Sequence, residues 1–273
     1  MKTTAYSRRP CNRLPGHPKA WIAVLLAWAA GFVDATGWLV LNHVYTSHMT
    51  GNTASFAGDI AQGKWNDAFH HGWVILPFLG GLLYSAAMTK AARRKGFHSS
   101  FATALATELL LLAAFIALGS RYLDDARLAL PSGVIGYVLL SLPAAAMGVQ
   151  TVTVTRINGL RVYTTYLTRS LSKCSEAIVD HAFWFRDRTR GRRWTGLYKV
   201  LRVSPCQKFL QHAALAAGLW MGFFIGAICG ALGERRFALF ALYAPMSVLT
   251  VAVIVDLVFP VAAADEPQAE QCS

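Results

Sequence analysis

Apolar residues gather along the chain into six long stretches, at 21–41, 72–89, 101–119, 133–155, 209–232 and 237–260. A helix needs roughly 20 apolar residues to cross a bilayer, and each stretch comes near that length. The pattern predicts an all-α polytopic membrane protein with six transmembrane helices. Prolines 77, 143 and 245 fall inside these stretches and predict kinks. Two other segments are too polar or too short to span. Residues 47–62 mix Gly51, Asn52, Gly58 and Asp59 with Met49, Phe56, Ala57 and Ile60. Residues 165–184 mix Leu167, Leu171, Ala177, Ile178 and Val179 with polar residues. Both predict short re-entrant or interfacial helices. The domain reading is a basic N-terminal arm at 1–20, a membrane domain at 21–260 with a basic loop at 186–208, and an acidic disordered tail at 261–273.

The polar segments carry an echo. Val44-Tyr45-Thr46-Ser47-His48-Met49-Thr50 returns as Val162-Tyr163-Thr164-Thr165-Tyr166-Leu167-Thr168. Each copy follows the first apolar stretch of a three-stretch half. Three is odd, so the second half enters the membrane from the opposite face. The expectation is two inverted three-helix repeats, the plan of many alternating-access carriers.

Charge sets the orientation. The loops at 1–20, 90–95 and 156–208 hold 21 of the 26 Lys and Arg residues, and the alternate side holds five. By the positive-inside rule both termini are cytoplasmic. In a bacterium this is a multi-pass protein of the inner membrane. The chain is 55% hydrophobic and 15% charged, with a net charge of +12. That charge is accounted for by topology and by anionic lipid headgroups, so no nucleic-acid partner is expected. The first stretch contains Ala27-Trp28-Ala29, a cleavage-like pattern, but the apolar run continues past it and reads as an uncleaved helix. Cys11, Cys174, Cys206 and Cys272 fall on the cytoplasmic side and Cys229 in a span, so no disulfide is expected.

An ordered set of motifs carries a resemblance. Gly31-Phe32-Val33-Asp34-Ala35 precedes Met49-Thr50-Gly51-Asn52-Thr53. Ala146-Met147-Gly148-Val149-Gln150 precedes Thr164-Thr165-Tyr166-Leu167-Thr168-Arg169. The chain resembles the YoaK family, bacterial membrane proteins of unknown function with six predicted spans. The resemblance covers roughly residues 20 to 260. Where the family's pattern has Gly after the last Thr, this chain has Arg169. The resemblance implies a fold and supplies neither reaction nor substrate.

Candidate chemistry rests on polar residues at membrane depth. Asp34, Glu108 and Asp256 sit inside apolar stretches, where a charge costs on the order of 3 kcal/mol or more. Asp34 lies about 20 Å along its helix and is the leading candidate, with Glu108 next. Asp256 lies near its cytoplasmic end, close to basic loops. Thr46, Thr50, Gly51 and Asn52, with Thr164 and Thr168, offer hydroxyls, an amide and close backbone approach at broken helix ends. Gln150 is placed to pair with Asp34 if the halves align. The ordinary alternative for each is capping or helix packing. His43, His48, His70 and His71 match no zinc spacing, so no metal is expected, nor any cofactor. Gly80-Gly81 and Gly222-Phe223-Phe224-Ile225-Gly226 read as close-packing faces. Arg190, Arg192 and Arg193 are the expected contacts to anionic lipid.

No catalytic motif is present, so the chain is not read as an enzyme. The reading is an integral membrane protein that acts as a secondary transporter or permease for a small polar solute, with Asp34 as its proton site. Two rivals stay open: an accessory or lipid-binding membrane protein that moves nothing, and an intramembrane enzyme. An enzyme would place an acid and a histidine within hydrogen-bond reach in a wet cavity.

Overall fold

A computed structural model describes residues 18–94, 100–123, 130–131, 133–152, 155–157, 160–162, 167–190 and 208–258. The arm before residue 18, the tail, Thr164, Arg192 and Arg193 lie outside the described residues.

The fold is helical, as the apolar pattern predicts. Helix α1 (Pro18–Val40) begins with proline, whose missing N–H is unneeded in a first turn. Two short helices follow, α2 (Met49–Ala61) and α3 (Trp65–Trp73). Then come α4 (Ile75–Arg94), α5 (Ser100–Tyr122) and α6 (Val134–Val152). A three-residue antiparallel pair, β1 (Thr155–Ile157) with β2 (Leu160–Val162), leads to α7 (Leu167–Thr189). Helix α8 (Lys208–Phe237), a 3-10 turn (Ala238–Leu242) and α9 (Tyr243–Val258) complete the described chain.

Among the described residues, five segments are long and apolar enough to cross a membrane. The last runs 49 residues, Leu210–Val258, and contains both α8 and α9. Six separate spans were expected. The difference arises because α9 has 16 residues, about 24 Å of helix, and continues through the 3-10 turn from α8. Ala238 has φ 47°, a left-handed backbone that breaks the helix between the two.

Two of the three expected proline kinks do not arise. Pro77 and Pro245 sit in the first turns of α4 and α9, where no intrahelical N–H is lost. Pro143 sits inside α6.

Glycines set how closely the helices cross. A Cβ on Gly222, Gly226 or Gly230 of α8 would press on the carbonyls of Val24, Trp28 and Phe32 of α1. The contacts advance together by four residues on both helices, so α1 and α8 run parallel. Gly31 meets the carbonyl of Phe223 in return. A second crossing joins α4 to α6: Gly81 meets the carbonyl of Ala145, and Gly148 meets that of Phe78. These are small-residue faces of the kind that hold helices together in lipid. Gly80 has nothing within 4 Å, so the expected packing role belongs to Gly81 alone.

Helix α5 packs against α4, α6 and α9, while α1 packs against α8 and α9. The fully buried side chains include Leu26 on α1, Leu105, Leu112 and Phe115 on α5, Met147 on α6 and Leu249 on α9. Helix α7 lies against α8. Its Ala177 is buried, while Leu171, Ile178, Val179 and Phe183 are exposed.

Candidate functional site

The chain reverses at the end of α1. Asn42 and His43 take φ 53° and 63°, and the His43 N–H donates back to the Trp38 carbonyl at 3.0 Å. Such a bond five residues back, with left-handed residues at the end, is how helices commonly terminate. The turn returns residues 44–48 alongside the last turns of α1.

There Asp34 collects four hydrogen bonds. Its Oδ1 accepts from the Thr46 N–H at 3.0 Å, the Thr46 hydroxyl at 2.9 Å and the Ser47 N–H at 2.7 Å. Its Oδ2 meets His48 Nδ1 at 2.6 Å. Asp34 is 4% exposed. Gly37, one turn further along α1, admits the Thr46 methyl, which a Cβ there would strike. A second clamp fixes the same loop. Asn52 Oδ1 accepts from the Tyr45 N–H at 3.0 Å, and Asn52 Nδ2 donates to the Tyr45 carbonyl at 2.7 Å. The buried amide thus satisfies both polar groups of one peptide residue that has no secondary-structure partner. Gly51 leaves room for the Tyr45 ring, which would lie 3.2 Å from a Cβ.

His48 stands at the edge of this cluster with its side chain 38% exposed. Its ring meets Tyr45 and Phe223 edge-on, at centroid distances of 5.4 and 5.6 Å. The hydrogen bond to Asp34 raises its pKa above the ordinary histidine value, against the opposing effect of burial. A second pair, His71 Nδ1 to Asp59 Oδ2 at 2.8 Å, ties α3 to α2.

The structure binds Thr46 to Asp34 and sets Asn52 and Gly51 against Tyr45 of the same loop, a grouping the sequence reading did not make. Thr50 is exposed in the first turn of α2, and Thr168 is exposed at the start of α7. Gln150 does not pair with Asp34. Its Nε2 donates to the Leu26 carbonyl at 3.2 Å, and Leu26 lies eight residues, about 12 Å, below Asp34 on α1. Asp256 lies near the end of α9. It is fully buried, and its Oδ2 accepts from the Ala102 N–H at 3.0 Å, capping α5. Glu108 is fully buried and neither of its oxygens has a hydrogen-bond partner among the described residues. Arg190 is exposed at the end of α7.

Sequence reasoning missed Gly37, Ser47 and the pairing of His48 with Asp34. Gly37 carried a signal, since it lies three residues from Asp34 on the same helix face. The histidine bond depends on the left-handed turn at 42–43, which the sequence pattern does not announce.

An acid and a histidine within 2.6 Å fit the expectation for an enzyme, but the geometry is not that of a nucleophilic triad. Ser47 Oγ approaches His48 at Nδ1, 3.5 Å away, the same nitrogen that faces Asp34. A triad needs acid and nucleophile on opposite ring nitrogens.

Known proteins agree with the sequence motifs. The family model described as a protein of unknown function (DUF1275) matches residues 22–255. The UPF0700 transmembrane protein YoaK of Bacillus subtilis (strain 168) is 27% identical over 222 residues, covering 81% of this chain and 87% of that one. No solved structure matches the chain.

Proposed function

This chain belongs to the DUF1275 family of transmembrane proteins, and from that premise we propose that it is a secondary transporter or permease for a small polar solute, built from two inverted three-helix halves. The observation that carries the reading is the reciprocity of the two glycine crossings. The same 117 residues separate Gly31 from Gly148 and Trp28 from Ala145, and the same 145 separate Phe78 from Phe223 and Gly81 from Gly226. Exchanging the halves turns the α1–α8 crossing into the α6–α4 crossing, contact for contact. The short helices follow the exchange to within one residue. Helix α2 begins at Met49, three residues after Thr46, and α7 begins at Leu167, three residues after Thr164.

Six crossings follow from this arrangement, with α8 and α9 as the fifth and sixth. The parallel run of α1 and α8 supports that count, because a first and a fifth span must point the same way. With 21 basic residues on one side, the termini are cytoplasmic and the membrane is the bacterial inner membrane. Helices α2 and α3 then lie on the outer side, where Trp65, Phe69 and Trp73 form an exposed aromatic stripe. Helix α7 lies on the cytoplasmic surface, its exposed apolar residues in the bilayer, and the basic loop that follows it, with Arg190, Arg192 and Arg193, is the contact to anionic lipid. Inverted halves around small-residue crossings suit the rocking that alternates access to a central site.

The second reading is a membrane protein that moves nothing. It is favoured by the complete satisfaction of Asp34, which leaves that carboxylate as an organiser of the loop. The test is uptake by proteoliposomes across a panel of small polar solutes, with and without a proton gradient. Accumulation of one solute supports transport. A protein that moves none, with either gradient, is an accessory protein.

A further inference from the structure

Three acids lie in the apolar helices, and two have partners. Asp34 accepts from a loop and Asp256 from a helix N-terminus. Glu108 differs. It occupies the most buried stripe of α5, between Leu105 on one side and Leu112 and Phe115 on the other, all fully buried. Those positions follow helical spacing, so the acid stands where an apolar residue would pack. Both of its oxygens lack a partner among the described residues. We propose that Glu108 is a proton-binding site, a carboxylic acid that holds a hydrogen ion in the bundle core and releases it when the helices move. The proposal deepens the transporter reading and rests on it for its purpose, although not for its chemistry.

An ionised carboxylate stripped of water and of donors is among the least stable arrangements a protein interior can hold. The acid form removes the charge and gains an O–H donor. Candidate acceptors stand on the adjoining helices. Ser85 Oγ on α4 and Gln150 Oε1 on α6 are also buried without partners among the described residues. Helices α4, α5 and α6 all pack on one another. Consecutive helices α4 and α5 place Ser85 and Glu108 at one level. Ser85 is nine residues before the end of α4 and Glu108 eight after the start of α5, so both lie about 12 to 14 Å from the shared end. Four unsatisfied oxygens on three contacting helices form a polar set without internal closure among the described residues, which a small relative rotation can close or open.

Among the described residues no competing charge hydrogen-bonds to this site. Tyr84 and Lys90 on α4 and Tyr243 on α9 are exposed, and Tyr137 on α6 is half-buried. Asp256 on α9 is committed to the α5 N-terminus. None of them hydrogen-bonds to Glu108.

The experiment is infrared spectroscopy of the full-length protein in vesicles, with the hydrogen ion as the only ligand. At neutral pH the wild type should show the carbonyl stretch of a protonated carboxyl group, sensitive to deuterium exchange. Glu108→Gln should remove that band while the protein stays folded, because the amide keeps the size and neutrality of the acid. Glu108→Asp should keep it. Stepping the bulk pH up and back should lose and restore the band. Absence of the band in the wild type, or its persistence in Glu108→Gln, overturns the assignment. A band that ignores the pH steps marks a sealed structural acid and overturns proton exchange. A band that responds while no solute moves in the uptake panel leaves the proton site standing and removes the transporter.

Discussion

His48 and Asp34 stand fourteen residues apart in sequence, yet their side chains meet at 2.6 Å and lock the returning loop onto α1. The pair joins a buried acid to a base that reaches the surface. Together with the Thr46 and Ser47 bonds, it makes the loop and the upper half of α1 one unit.

The pair gives loop stability a pH dependence of known sign. His48 has its pKa raised by Asp34 above its ordinary value of 6.5. The stabilisation is therefore fully present below about pH 6.5, and it is lost as pH rises through the higher folded value. The melting temperature of the wild type should fall as pH rises above about 6.5 through that folded value. His48→Gln should show no such fall. Parallel curves for the two proteins would show that the pair holds no protonated histidine.

Asp34 and Glu108 should respond to substitution with opposite signs. Asp34→Asn removes the charge and replaces one accepting oxygen with a donor. It should cost about 2 to 4 kcal/mol, since the new amide NH2 must face either the Thr46 and Ser47 donors or His48, and whichever side it faces loses its acceptor. Glu108→Leu replaces an unpartnered buried polar group with one that packs, and should gain about 1 to 2 kcal/mol. Thermal or denaturant unfolding in detergent reads both. A stabilised Asp34→Asn protein would mean that the loop does not depend on this carboxylate.

Cysteine labelling reads the topology. Reagents confined to the outside should modify Lys64→Cys and Arg121→Cys in intact cells. Arg94→Cys and Arg190→Cys should be protected until the membrane is permeabilised. Labelling of Arg190→Cys from outside would reverse the orientation.

The helices were legible because each apolar run matches a membrane thickness, and α1, α5 and α8 start within three residues of the expected positions. The start of α2 within the polar segment at 47–62 was legible too, from its mixture of Gly and polar residues. A break between the last two stretches was legible from the polar residues at 233–236, but its place at Ala238 was not, because a left-handed alanine carries no compositional mark. Within the candidate site, sequence depth singled out Asp34 as the costliest acid. Depth measures the penalty of burial and is silent about the donors that offset it. Two of the donors are backbone N–H groups brought back by a turn, and no residue type encodes those. The same limit ranked Glu108 only second, because its standing rests on the lack of partners among the described residues. Gly230 extends the packing face beyond the Gly222 and Gly226 pair, and only the neighbouring Phe32 carbonyl reveals it.

Helix α7 should govern lipid preference. Replacing Arg190, Arg192 and Arg193 with Gln should weaken retention of anionic lipid by roughly fivefold per arginine. The fold should be unchanged, since Arg190 is exposed. Quantifying co-purified lipid across vesicles of graded anionic content measures it. Equal retention by variant and wild type would place the basic loop away from the membrane.

The glycine crossings make the sharpest test of the repeat. Gly226 and Gly81 occupy exchanged positions, each pressed against a backbone carbonyl, of Trp28 and of Ala145. Backbone cannot move aside as a flexible side chain does, so a β-branched residue at either site must push two helices apart. Gly226→Val and Gly81→Val should each destabilise by about 1 to 3 kcal/mol, as overpacking does. Gly80→Val is the control, because that glycine has nothing within 4 Å and its substitution should be close to neutral. A carrier whose halves rock about these crossings should lose transport in both crossing variants, by a similar factor. Cysteine cross-linking between α1 and α8, and between α4 and α6, reports the separation directly. Each crossing variant should reduce the cross-link at its own pair of helices and spare the other. If Gly81→Val is silent while Gly226→Val is severe, the two crossings are not equivalent and the repeat is one of sequence alone.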